Sequence, residues 1–208
     1  MSSGGAAGTG SSEQDLRRRV MRLKAVIEAA SLVNSTLDLQ AIADHVVSIA
    51  TKLIRAERGS LFLLDEESQS LTPLVAHGVE SGVLRIGVGE GIVGTVARSG
   101  RALILDDPYS DPRFNPRFDQ ETGFRTRSLL TVPVRDRQGK LVAVLQLLNH
   151  KGHGFDRDDI TFLHELGVPF AIALTTAQMH QKVVEREKLR EELRLAAEIQ
   201  RTMQPMDF

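Results

Sequence analysis

Three groups of residues have types and spacings that could do chemistry. The first is Gly89-Glu90-Gly91-Ile92-Val93-Gly94, which fits the G-x-G-x-x-G pattern of dinucleotide binding and stands between an apolar run and a short helical segment. That function needs a crossover helix long enough to reach a parallel strand, and Ser99-Gly100 closes this helix too soon. What remains is close backbone approach at the glycines and a helix start whose free amides can face an anion. The second group is His150 and His153 with Asp156, Asp158 and Asp159 just beyond. A histidine pair without a third fixed ligand is a weak metal signal, and the expectation is a polar loop at a strand end. The third interleaves Arg113, Arg117, Arg125 and Arg127 with Phe114, Phe118 and Phe124. Asp106, Asp107, Asp111, Asp119 and Glu121 lie among them, so a salt-bridged lid over a small ligand is expected rather than a nucleic-acid surface.

The remaining chemistry is narrow. The chain has no cysteine, which excludes thiolate nucleophiles, disulfides, cysteine zinc sites and iron–sulfur clusters. No serine stands in a nucleophile elbow, no paired carboxylates have a glycosidase-like setting, and no lysine-containing phosphate loop is present. The chain itself is therefore not expected to be an enzyme. With 26 basic and 27 acidic residues its net charge is −1, giving no field to draw the molecule to nucleic acid or acidic lipid.

The elements that would position these residues follow from periodicity. Over 208 residues, 41% hydrophobic and 25% charged, the composition suits one soluble domain with additional helices. No stretch reads as a membrane span, and residues 1–12, rich in Gly, Ala and Ser, lack the apolar centre of a signal peptide. They are read as a disordered tail and the protein as cytoplasmic. From Glu13, apolar positions Leu16, Val20, Leu23, Ile27 and Ala30 recur at alternating spacings of four and three, continued by Asn34 and Leu37. This is the seam of a helix that pairs with a second copy, although a helix packed on its own domain would share the pattern. Asp38 is a candidate N-cap for a second helix ending near Arg55, with Leu39, Ile42, Val46, Ile49, Ala50 and Leu53 on its buried side.

Short β-type runs follow at Gly59 to Leu64, Leu71 to Ala76, Val83 to Val88, Leu129 to Val134 and Leu141 to Leu148. Arg135-Asp136-Arg137-Gln138-Gly139-Lys140 reads as a hairpin turn joining the last two, which makes the sheet antiparallel. Between the third and fourth runs stand a short helix, Ile92 to Arg98, and about 30 irregular residues holding Pro108, Pro112 and Pro116, the length of a binding loop. From Asp156 the pattern is helical to the chain end, with a kink or break expected at Gly167 and Pro169. Leu189, Leu193, Ala196, Gln200 and Met203 then resume a seam. No cap closes this helix, so the chain is expected to be part of a longer protein.

Three segments, Gly91-Ile92-Val93-Gly94-Thr95-Val96-Ala97, Asp107-Pro108-Tyr109-Ser110-Asp111-Pro112-Arg113-Phe114 and Thr122 through Val134, resemble a GAF domain in order and spacing. The likeness covers about residues 38–180, in the flavour of cyclic-nucleotide phosphodiesterases and cyanobacterial adenylate cyclases, which are sensors rather than catalysts in this part of the chain. It implies an α+β fold: a six-stranded antiparallel sheet flanked by helices, with long N- and C-terminal signalling helices and a ligand pocket under the lid. The resemblance assigns the ligand site to Ser60, Ala76, His77, Val93, Thr122, Thr126 and Gln146. It implies cAMP, cGMP or another small metabolite as ligand, with no metal. The family's Asn-Lys…Phe-x-x-x-Asp-Glu signature appears as Asn149-His150-Lys151, Phe155 and Asp159, with the lysine displaced by one position and Ile160 in place of the glutamate.

The tail from Glu192 to Pro205 resembles the linker that enters SpoIIE-type serine/threonine phosphatase domains. The expected organisation is a disordered tail at 1–12, a dimerisation helix at 13–37, the sensory domain at 38–180 and a coiled-coil linker at 181–208 leading to an output domain. The expected partners are a second copy, a small-molecule ligand and that output domain, in a bacterial cytoplasmic protein, with no nucleic acid and no membrane. The alternatives are a ligand-free dimerisation scaffold and a nucleotide-dependent enzyme.

Overall fold

The computed structural model of the chain describes residues 7–76 and 85–203. Helix α1 (Ala7–Ser35) begins inside the stretch read as a tail, whose first six residues lie outside the described ones. A three-residue connection leads to α2 (Leu39–Ile54), where Asp38 stands as N-cap and its carboxylate accepts from the amides of Gln40 and Ala41. Arg55 closes α2 in the left-handed conformation.

Six strands follow, β1 (Ala56–Asp65), β2 (Ser70–Ala76), β3 (Ile86–Gly87), β4 (Leu103–Leu105), β5 (Leu129–Arg135) and β6 (Leu141–His150). They form one sheet in the order β3-β2-β1-β6-β5-β4 with antiparallel neighbours throughout. The expected antiparallel architecture is present. Of the run expected at Val83 to Val88, only Ile86–Gly87 is strand, and Val83 and Leu84 lie outside the described residues. Asp136 organises the β5–β6 hairpin by accepting from the amides of Gln138 and Lys140.

Period-two alternation divides the sheet into two faces. Leu61, Leu130, Val132, Ala143, Leu145 and Leu147 join the core beneath α2 and α5 (Arg157–Met203), to which α1 adds Ala25 and Ala29. Gly59 is required there: a β-carbon would lie 2.6 Å from the Thr51 hydroxyl and 2.9 Å from Val47, so only glycine lets α2 approach β1. On the opposite face a smaller cluster of Phe62, Leu71 and Val144 receives Val93, Val96 and Ala97 of α3 (Gly91–Ser99).

Three expectations need correction. The irregular lid contains edge strand β4, paired with β5, a 3-10 turn over Pro108–Ser110, and helix α4 (Arg117–Thr122). Each is too short to show a period. Helix α5 runs unbroken through Pro169. Leu163, Leu166, Phe170 and Leu174 are buried around the proline, while Glu165, whose carbonyl loses its donor, is exposed, so packing holds the helix and solvent can satisfy the freed acceptor. Finally, α5 does contain a window apolar and long enough to cross a membrane, and half of that window is buried inside the domain.

Candidate functional site

The open face of the sheet, the start of α3 and the lid enclose a cavity of about 1030 Å³. Its floor comes from alternate residues of the two central strands: Ser60 and Phe62 of β1, and Gln146 and Leu148 of β6. Ser60 and Gln146 face each other in the β1–β6 register. Gly91, Ile92 and Val93 bring the first turn of α3 to the wall. The glycine-rich turn before them has a packing cause, since a β-carbon on Gly94 would stand 2.3 Å from the Gly87 carbonyl. With α3 closed at Gly100 and antiparallel pairing on both sides of β3's neighbour, this turn is not part of a dinucleotide crossover.

The lid is tied together by one buried carboxylate. Asp119 accepts from Tyr109 Oη at 2.8 Å, from the Thr126 amide at 2.6 Å and from Thr126 Oγ1 at 2.8 Å. The bond to Asp119 raises the Tyr109 phenol above its ordinary pKa. Tyr109 also packs on Phe114, with ring centroids 5.1 Å apart, and lies 4.9 Å beneath the Arg125 guanidinium. Arg113 binds Asp111 at 2.6 Å, holding that carboxyl down to about 2, and Arg117 binds Glu121 at 2.6 Å. The salt-bridged lid expected from the alternating charges is therefore present. Arg58 stacks 3.9 Å over Phe124, joining β1 to the lid across the cavity.

Asn149 clamps the end of the lid. Its left-handed backbone, φ 56°, lies one residue before the end of β6, and its side chain reaches residues 125–128. The side-chain oxygen accepts from the amides of Arg127 (2.6 Å) and Ser128 (3.3 Å), and the amide nitrogen donates to the Arg125 carbonyl and to Glu57, both at 2.9 Å. Glu57 also holds the Arg127 side chain at 2.5 Å. The segment that delivers Thr126 to the cavity is thus fixed from two sides.

Five of the seven expected site residues come together here: Ser60, Val93, Thr122, Thr126 and Gln146 all line the cavity. Their chemistry differs from expectation in one respect. Both lid hydroxyls are already donating, Thr126 to Asp119 and Thr122 to the Phe118 carbonyl at 2.7 Å, so they can offer a ligand only lone pairs. Gln146, also in the cavity lining, donates to Thr131 at 3.1 Å. Ala76 lies opposite Ser60 on β2, and His77 falls outside the described residues. Sequence reasoning did not single out Asp119, Arg58 or Phe124 as organisers; Asp119 was legible only as one of several acids offsetting the lid arginines.

The displaced lysine of the signature has a substitute. Asp159, buried in the core-facing start of α5, is raised in pKa first by desolvation and then by Asp156. Arg22 of α1 meets it at 2.8 Å, with side chains 16% and 7% exposed, and also lies 4.9 Å over Phe162. Asp156 and Asp159 exchange backbone-to-carboxylate hydrogen bonds, a reciprocal cap at the start of α5. His150, at the lysine's place, accepts from the amides of Gly152 and Gly154 through Nδ1. Among the described residues, no group of three or more His, Asp and Glu is placed to hold a metal.

Comparison with known proteins agrees with this geometry. A dual 3',5'-cyclic-AMP and -GMP phosphodiesterase 11A of Takifugu rubripes is 29% identical over 167 residues, 74% of this chain and 18% of that protein. A probable 3',5'-cyclic phosphodiesterase pde-5 of Caenorhabditis elegans is 28% identical over 191 residues, 84% of this chain and 26% of that one. The chain therefore spans only 18% and 26% of the length of these relatives. Among solved structures, the GAF domain of a phosphoenolpyruvate-protein phosphotransferase from Coxiella burnetii superposes with a TM-score of 0.68 at 23% identity, covering 78% of this chain and 98% of that one. Free methionine-R-sulfoxide reductase from Neisseria meningitidis, in complex with its substrate, gives 0.62 at 19% identity, covering 76% and 91%. These last likenesses speak for the fold alone. The GAF domain model matches residues 38–174, and the chain belongs to the GAF domain family.

Proposed function

We propose that this chain is a sensor whose cavity binds a cyclic nucleotide and whose helices, paired with those of a second copy, pass the occupied state to an attached output domain. The observation that carries this reading is the cavity of about 1030 Å³ built on Ser60, Val93, Thr122, Thr126 and Gln146. Its aromatic lid residues suit a base, and the α3 start with Arg58 and Arg85 suits a phosphate. The names of the phosphodiesterase relatives support the same ligand class. Ligand-dependent lid closure would bias the helix pair by population shift. The output domain we infer from the tail is a serine/threonine phosphatase in a bacterial cytoplasm, whose linker motif ends at residues outside the described ones; the relatives' names favour a phosphodiesterase as the other candidate. A ligand-free scaffold is favoured by one observation, that both lid hydroxyls already have partners.

Thermal unfolding with cAMP and cGMP tests the reading. A nucleotide at 100 times its Kd adds about 2.7 kcal/mol and must raise the melting temperature. Gln146→Leu should weaken that ligand about tenfold by removing the one amide side chain from the cavity floor. A melting temperature unmoved by either nucleotide rejects this ligand class, and denatured protein that releases no small molecule to mass spectrometry favours the scaffold.

A further inference from the structure

A second concavity, of about 640 Å³, lies on the other side of β1 from the lid, along the last turns of α2. Lys52, Arg55 and Lys151 converge on it, and none of the three is ion-paired among the described residues. The α2 dipole explains cations in its last turn, which accounts for Lys52 and Arg55. It does not explain Lys151, which is brought from the end of β6 by a backbone bond from its amide to the Arg55 carbonyl at 2.8 Å. Three like charges on one groove repel one another, and a multiply charged anion between them would relieve that repulsion. Ser48 adds a hydroxyl to the same wall, while the Thr51 hydroxyl is buried against Gly59 of β1.

The two acids at the groove cancel this charge only in part. Glu57 is already paired with Arg127 and shared with the Asn149 amide, whereas Asp44, toward the start of α2, keeps its charge because its partner Gln40 is a neutral amide, so the cations still outnumber the uncompensated acid. We propose that this groove is a binding site for a small phosphate-bearing anion with two or more charges, held by Lys52, Arg55 and Lys151. Asp44 and Glu57 in its lining disfavour a long acidic peptide, which would have to run past both carboxylates. Through Glu57 the groove also shares a residue with the clamp on the lid segment 125–128, so occupancy is felt at Arg127 and Ser128. The groove shares no lining residue with the principal cavity.

The test is an NMR titration of the full chain with inorganic pyrophosphate at constant ionic strength. Saturable shifts are expected at the amides of Lys52, Arg55 and Lys151, extending to Arg127 and Ser128. The exposed double substitution Lys52→Ala with Lys151→Ala should weaken binding about tenfold or more, while Lys182→Ala with Lys188→Ala on the distal part of α5 leaves it unchanged. Four results would overturn the proposal: shifts that never saturate, saturation indifferent to the groove substitution, shifts centred on Ile92 and Val93, or equal affinity for a glutamate peptide. Capture by phosphatidylserine vesicles without pyrophosphate binding would overturn it as well.

Discussion

The imidazole of His150 is fixed by two amides that point at one nitrogen. Gly152 N lies 2.9 Å and Gly154 N 3.3 Å from Nδ1, so that nitrogen must be an acceptor and the ring neutral. Protonation would set a third donor against those two. Burial is the first cause that pushes the His150 pKa below its ordinary value; His153 and Arg55 push the same way, while Asp159 and Asp156 oppose it. The unfolded chain therefore takes up this proton near the usual pH 6.5, and the folded chain only at lower pH. Between those points the unfolded state binds more protons, so the contribution of His150 to stability is present above about pH 6.5 and is lost as the pH falls through the folded value. His150→Asn keeps an acceptor for the glycine amides but removes the titration. Urea unfolding should then give a stability difference, wild type minus variant, that declines from about pH 7 to about pH 5.5. A difference constant over that range would show that His150 is not the group responsible.

At the scale of elements, α1 is fastened to the start of α5 by Arg22 and Asp159, at 2.8 Å and largely shielded from water. Removing one partner of such a pair leaves an uncompensated charge, whereas removing both does not. Arg22→Met should cost about 3 kcal/mol in chemical denaturation, and adding Asp159→Asn should recover part of that loss. Strictly additive effects would mean the two residues are not coupled. This ion pair also marks the boundary of what the sequence makes legible. α2 was readable because a capping aspartate and a helical period fall within one short stretch, while the left-handed closure at Arg55 has no signal in its residue type. The central strands β1, β5 and β6 were readable from their apolar runs, but β4 and α4 are too short for periodicity, and α5 passes Pro169 because tertiary packing overrides the local penalty. Within the site, Ser60 and Gln146 were found by resemblance, while Asp119 was not, because nothing in the spacing from Asp119 to Tyr109 or Thr126 announces their meeting.

For the whole molecule, the two long helices leave unburied stripes. In α1, Ala25 and Ala29 face the core, while Leu16, Val20, Leu23 and Ile27 are exposed, the last two at 62% and 63%. In α5 the last core residue is Ala177, and beyond it Met179, Val183, Leu189 and Leu193 are exposed. Each large apolar side chain covered by a partner gains about 1.5 to 3 kcal/mol, so the stripes favour the dimer proposed above. They also localise its test, because residues exposed in one copy can be changed without disturbing that copy's core. Leu23→Glu together with Ile27→Glu should halve the mass measured by light scattering while leaving the melting transition of the domain cooperative. Dimers that survive this pair but dissociate with Leu189→Glu and Leu193→Glu would move the contact from α1 to the distal half of α5. In that case coupling between cavity and output would run through the single helix that leaves the sheet after Ala177, with α1 acting only as the strut pinned by Arg22.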